Sequence, residues 1–140
     1  MWRSPTLTLA QLLANANTFS AVNIFSTTTV FGGTAQLQGA FRPRIQAFSG
    51  AGTIVSANGF QVEKTGAGAY TLVLPASPSS GDVYRLFDGY GDAGTGNLSV
   101  SSAGTAINGT AAGGGAVVAV NTNYGQCWIT YDGTKWILSR

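Results

Sequence analysis

Between residues 53 and 74 apolar and polar side chains alternate, and Phe60, Val62, Tyr70, Leu72 and Leu74 fall on one parity. A period of two is the signature of strands with one buried face, so strands are predicted over 53–57, 60–64 and 70–74. Asn58-Gly59 and Gly66 to Gly68 supply turns between them, which reads as a meander. Beyond Pro75, Pro78 and Gly81 the alternation resumes over 83–88, 97–101, 116–121, 126–131 and 135–138, at the spacing of sandwiches and barrels. Asp132-Gly133 is the strongest hairpin signal, and it brings Trp128, Tyr131 and Trp136 into one aromatic neighbourhood assigned to the core. The expected fold is all-β: an antiparallel β-sandwich or jelly-roll-like module of about eight strands over residues 51–140.

Residues 1–50 read differently. Leu7, Leu9, Leu12 and Leu13 follow Ser4 and Pro5, which fits a short helix or an extended arm. Short apolar strips follow, around Val22 to Phe25, Thr27 to Phe31, and Ala35 to Phe48, with no long amphipathic helix. Such a stretch is too thin for its own core, so it is expected to pack on the rest of the chain or on another chain. Pro43, between Arg42 and Arg44, places that segment at an edge or in a crossing arm. Charge divides in the same way. Residues 1–62 hold Arg3, Arg42 and Arg44 and no acid, while residues 63–140 hold five acids and four bases. Residues 1–50 are therefore expected to be an attachment arm and 51–140 a projecting module. Neither a secretory signal nor an apolar run long enough for a membrane span is expected.

Composition changes the picture mainly by exclusion. Charged residues are 9% of the 140 residues, against 20 Gly, 28 Ser plus Thr and 8 Asn, so hydroxyls and amides cover the surface in place of charge. With no His there is no Ser-His-Asp triad, Cys-His dyad or imidazole metal ligand. The single cysteine, Cys127, forms no disulfide within the chain and no thiolate cluster. Any carboxylate chemistry must come from Glu63, Asp82, Asp88, Asp92 and Asp132. A net charge of +2 gives no basic stripe of the kind nucleic acid attracts.

The motifs inside the module read mostly as loops. Gly89, Gly91 and Gly94 satisfy G-x-G-x-x-G, but Gly96 to Val100 continues as a strand where a phosphate site requires a helix. Asp88 and Asp92 in the same loop are too few acids for a calcium cage, and nothing but their proximity makes them a glycosidase pair. No enzyme, cofactor or metal is expected. Tyr90 and Tyr124, in glycine-flanked loops, are the exposed aromatics placed to stack on a sugar. The 101–115 stretch is either a loose loop or a tight packing seam around an oligomer axis.

The carboxy-terminal part resembles a β-structured module of tailed-bacteriophage virion proteins: capsid decoration proteins, head fibres and tail fibres. The resemblance rests on Tyr70-Thr-Leu-Val-Leu-Pro-Ala-Ser-Pro-Ser-Ser-Gly-Asp-Val-Tyr, Ala106-Ile-Asn-Gly-Thr, Val120-Asn-Thr-Asn-Tyr-Gly and Trp128-Ile-Thr-Tyr-Asp-Gly-Thr-Lys-Trp-Ile-Leu, in that order. It covers roughly residues 53 to 138. It implies a homotrimer that binds and does not catalyse, located in the virion. A chain holding one arm and one module fits a capsid decoration (cement) or head-fibre protein. Its expected partner is the major capsid protein or another virion structural protein, gripped through Arg3, Leu7, Leu9, Leu12, Phe19, Phe25, Phe31, Arg42 and Arg44. The alternative is a tail fibre or baseplate adhesin whose Tyr90 and Tyr124 contact a host glycan. Neither nucleic acid nor membrane is an expected partner.

Overall fold

The computed structural model describes Ala40 and residues 42–140. These residues form nine strands: β1 (Ile45–Phe48), β2 (Gly52–Thr53), β3 (Gln61–Lys64), β4 (Tyr70–Val73), β5 (Val83–Asp88), β6 (Leu98–Ser101), β7 (Val117–Val120), β8 (Gln126–Tyr131) and β9 (Trp136–Ser139). They build two mixed sheets, one ordered β1-β3-β5-β8-β9 and the other β2-β4-β6-β7. The first six strands alternate between the sheets, so each crosses the core before the next begins. Within each sheet like strands then stack in parallel: Ile45 beside Gln61 and Gln61 beside Arg85 in one, Gly52 beside Leu72 and Tyr70 beside Leu98 in the other. The result is three turns of a coil of strands. The last three strands pair antiparallel, β7 with β6, β8 with β5, and β9 with β8.

The β-rich class read from the sequence is therefore present, but antiparallel pairing is confined to the contacts made by β7, β8 and β9. No meander forms over 53–74, because β3 lies in one sheet and β2 and β4 in the other. The predicted strand at 53–57 is also shorter; it stops at Thr53 and gives way to a 3₁₀ turn at Ser56–Asn58. The physical reason is that alternation states which side chains face inward and is silent about which strand lies alongside. A short link returns the chain on the same sheet or carries it across the core with equal burial of the same side chains.

The inward parity holds for Val62, Leu72 and Leu74, with Tyr70 packed against them, but not for Phe60, which precedes β3 and lies outside the core cluster against Trp128. Val62, Leu72, Leu74, Leu86, Leu98, Val100, Cys127 and Ile129 are buried between the sheets in one cluster. Each large aliphatic side chain there contributes about 1.5–3 kcal/mol by leaving water. Strand register stacks them in rows, so Gln46, Val62 and Leu86 are neighbours across parallel strands and Cys127 continues the row across the antiparallel β5–β8 pair. Gln46 ends that row at the edge strand. Its amide donates to the Gly59 carbonyl at 2.5 Å and accepts from the Val55 N–H at 2.9 Å, so a polar side chain closes the row with its hydrogen bonds satisfied.

The β8–β9 hairpin forms with Tyr131 opposite Trp136. The Asp132 carboxylate accepts from the Thr134 and Lys135 N–H groups and from the Thr134 hydroxyl, while Gly133 takes a φ of 102° that side chains resist. The two tryptophans of this hairpin part company. Trp136 is fully buried against Tyr84 and Tyr131, its indole N–H without an acceptor. Trp128, assigned to the core by the sequence, lies on the outer face at 42% exposure, stacked on Phe60 at 6.5 Å. Cys127 and Ile129 take the inward positions of β8, and the pleat turns Trp128 away.

The compact unit runs from Ala40 to Arg140, so β1, on the arm side of a boundary at residue 50, is the edge strand of the larger sheet. Arg42 and Arg44 are exposed just ahead of it. Arg3, Leu7, Leu9, Leu12, Phe19, Phe25 and Phe31, expected in attachment, lie outside the described residues.

Candidate functional site

Strand β3 turns Val62 and Lys64 inward, which buries a lysine completely. A buried ammonium needs partners close at hand. Lys64 Nζ forms an ion pair with Asp92, donates to the Gly66 carbonyl at 2.5 Å, and lies 5.2 Å and 5.4 Å from the ring centroids of Tyr70 and Tyr90. Both rings are within cation–π range. The second oxygen of Asp92 accepts from the Gly68 N–H at 2.7 Å. Bonded to Lys64 and to this amide, Asp92 is held below the usual carboxylate range.

Asp88 sits beside Lys64 in the parallel register of β3 and β5 and is likewise buried. One of its oxygens accepts from the Gly91 N–H at 2.9 Å; the other accepts from the N–H groups of Ala93 at 2.9 Å and Tyr124 at 3.1 Å. Burial by itself pushes this carboxyl up, but the three amides and the nearby Lys64 charge outweigh it and leave Asp88 below its ordinary value. Asp88 thus ties loop 89–97 to the turn 121–125. Asn123 adds a second tie, accepting from the Gly94 N–H at 2.7 Å. The glycine loop is an anchored structure, and its Gly91 and Gly94 amides are committed to side chains of this chain.

These two loops carry Tyr90 and Tyr124, the aromatics singled out by the sequence, at 52% and 75% exposure. Tyr124 has a φ of 56°, and its ring lies over Gly91, whose own φ is 92°. A side chain at position 91 would meet the phenol directly. Both tyrosines are therefore presented from loops fixed by the same carboxylate.

The other acids are scattered. Asp132 serves its own turn, whose Lys135 and Thr134 donors pull its carboxyl down to about 2. Asp82 accepts from the Ser79 N–H at 3.0 Å. No cluster of three or more metal-ligating residues occurs among the described residues. Cys127 is buried, and burial pushes its thiol up to about 11, far from the thiolate a nucleophile requires. No helix among the described residues is long and apolar enough to cross a membrane.

Lys64 was not singled out in the sequence. The signal was present as a lysine on the inward parity of an alternating strand, two residues after Val62, with two aspartates waiting in a downstream loop. The phrases Ala106 to Thr110 and Trp128 to Leu138 prove to be bonded to each other. Ile107 bridges to Trp136, the Trp136 N–H donates to the Ala106 carbonyl at 2.9 Å, and the Leu138 N–H donates to the Asn108 side chain at 2.9 Å. Gly81 and Asp82, from the first phrase, exchange backbone hydrogen bonds with Tyr131 at 2.9 Å and 2.8 Å. In comparison with known proteins, no family model and no curated protein matches this chain.

Proposed function

We propose that this chain is a structural protein of a tailed-bacteriophage particle, a capsid decoration or head-fibre protein that attaches through its amino-terminal arm and projects its β module, as a homotrimer. The observation that carries the reading is the joining of the quoted phrases: the 70–84 segment, the 106–110 segment and the terminal hairpin make one hydrogen-bonded assembly. Segments selected for their order along the chain are thus one physical unit, which is what a recurring module requires. The state of the four aspartates supports a binding protein over an enzyme. Asp82, Asp88, Asp92 and Asp132 are each engaged in holding backbone or Lys64. The homotrimer is supported by apolar side chains left on the outer face, Ile45, Val83 and Trp128. Attachment is supported by Arg44, Ile45 and Ala47 along a groove at the β1 edge.

The test is particle incorporation together with solution mass. Labelled protein is expected on the capsid at raised salt, and light scattering is expected to give three times the 14.3 kDa chain mass. A monomer at micromolar concentration, or label confined to the tail, overturns the decoration reading. Tail label favours the second reading, a tail-fibre or baseplate adhesin. The specific observation behind that alternative is the pair of exposed tyrosines on loops fixed by Asp88.

A further inference from the structure

We propose that Lys64 and Asp92 condense to a side-chain amide, a covalent clasp between β3 and the loop that follows β5. The geometry is that of an amine held against one oxygen of the carboxyl whose carbon it would attack. Lys64 Nζ is fully buried in direct contact with Asp92 Oδ1, and the Gly66 carbonyl and the Tyr70 and Tyr90 rings close the remaining sides. An amine confined beside its partner reaches effective concentrations of about 10⁵ M whenever the pair passes through a near-attack arrangement, beyond any free reagent. Asp92 Oδ2, held by the Gly68 N–H at 2.7 Å, is the oxygen that becomes the carbonyl, with a hydrogen-bond donor already aimed at it.

The reaction balances without a co-reactant. The site favours the ion pair, so the reactive form is a transient one in which one ammonium proton has moved along the hydrogen bond to the Asp92 carboxylate, giving a neutral amine beside a neutral acid. Nζ then forms its bond to Cγ, and the Cγ–Oδ1 bond breaks. The transferred proton and a second proton from nitrogen depart with Oδ1 as one water. The attacking nitrogen is positive in the tetrahedral adduct, and Asp88, inward on the neighbouring strand in register with Lys64, offsets that charge. The departing water has an exit, because the Asp92 side chain is 24% exposed while that of Lys64 is closed off. The clasp joins residues 28 apart in sequence and links the second turn of the coil to the β5–β6 loop within the third. It ties the Tyr90 loop to β3 by a bond that neither acid nor denaturant opens. The inference rests on the site alone and is independent of the virion reading.

The full chain, purified and then denatured, is weighed intact and digested with trypsin. The expected intact mass is lower than the sequence mass by one water. The expected digest resists cleavage after Lys64 and contains a branched peptide joining residues 45–85 to residues 86–135. Lys64→Arg is expected to restore the full mass. Asp88-Gly89 and Asp132-Gly133 can also lose water by cyclising to succinimides, so a mass deficit that persists in Lys64→Arg overturns the proposal. Full mass with linear peptides 45–64 and 65–85 in the wild-type digest overturns it equally.

Discussion

Lys64 and Asp88 lie side by side on neighbouring parallel strands, both turned into the core, yet the ion pair of Lys64 is made with Asp92 and the hydrogen bonds of Asp88 are made with backbone. The two carboxylates divide the work. One meets the buried cation and the other meets three backbone N–H groups, so the loop between them is held at both ends.

Replacing Asp88 with Ala leaves the N–H groups of Gly91, Ala93 and Tyr124 without their acceptor. A buried unpaired donor costs about 1–3 kcal/mol, and solvent reaches some of these once the loop loosens, so a loss of about 3 kcal/mol is expected. A urea titration reads it as a lower midpoint. An unchanged midpoint would mean that the loop is held by other contacts.

Acid should weaken the fold in a defined window. Asp88 and Asp132 both have folded-state values below the ordinary 3.8, so each contributes stability that is complete above that value and lost as pH falls through the folded one. The melting temperature should be level between about pH 7 and pH 5 and decline below about pH 4. Loss of stability already at pH 6 would contradict this assignment, since the chain has no histidine.

The two hairpin tryptophans should differ sharply. Trp136→Ala removes a fully buried indole and is expected to cost about 3–5 kcal/mol. Trp128→Ala, on the outer face, should cost under about 1 kcal/mol. Trp136→Phe should cost less than Trp136→Ala, because it keeps ring volume and deletes an N–H that has no acceptor. Chemical denaturation of the three variants checks the order, and equal losses for Trp128→Ala and Trp136→Ala would refute the placement.

Cys127 should be silent toward thiol reagents while the protein is folded. Its thiol is buried and raised to about 11, so a disulfide reagent at pH 8 should label it only after denaturant is added. Rapid labelling of native protein would show that β8 opens locally.

Gly91→Ala should disturb the tyrosine pair with little effect on the core. It places a methyl group at a φ of 92° and under the Tyr124 ring. The expected result is a loss of about 1–3 kcal/mol with altered tyrosine absorbance, while Trp136 emission stays native. Unchanged Tyr124 signals would indicate that the phenol does not rest on Gly91.

The amino-acid pattern by itself located the strands from β3 to β9 and most of the side chains they bury, while the strand expected over 53–57 shrank to Gly52–Thr53. The pattern's period of two places Val62, Leu72, Leu86 and Val100 inside, and Asp132-Gly133 makes the last hairpin unavoidable. It also limited the chemistry, since the absence of histidine and the isolation of Cys127 are properties of composition. Tertiary structure alone decided the partners. Whether β3 continues beside β2 or crosses to the other sheet depends on the path of a short link, and local alternation is identical in the two cases. The same applies to Lys64, Asp88 and Asp92. Their residue types were legible, but their meeting depends on β3 and β5 lying parallel, a contact between segments about two dozen residues apart that no local period encodes. Trp128 was misplaced for a related reason: an aromatic residue in a hairpin has two faces available, and the side chains of Cys127 and Ile129 had already taken the inner one.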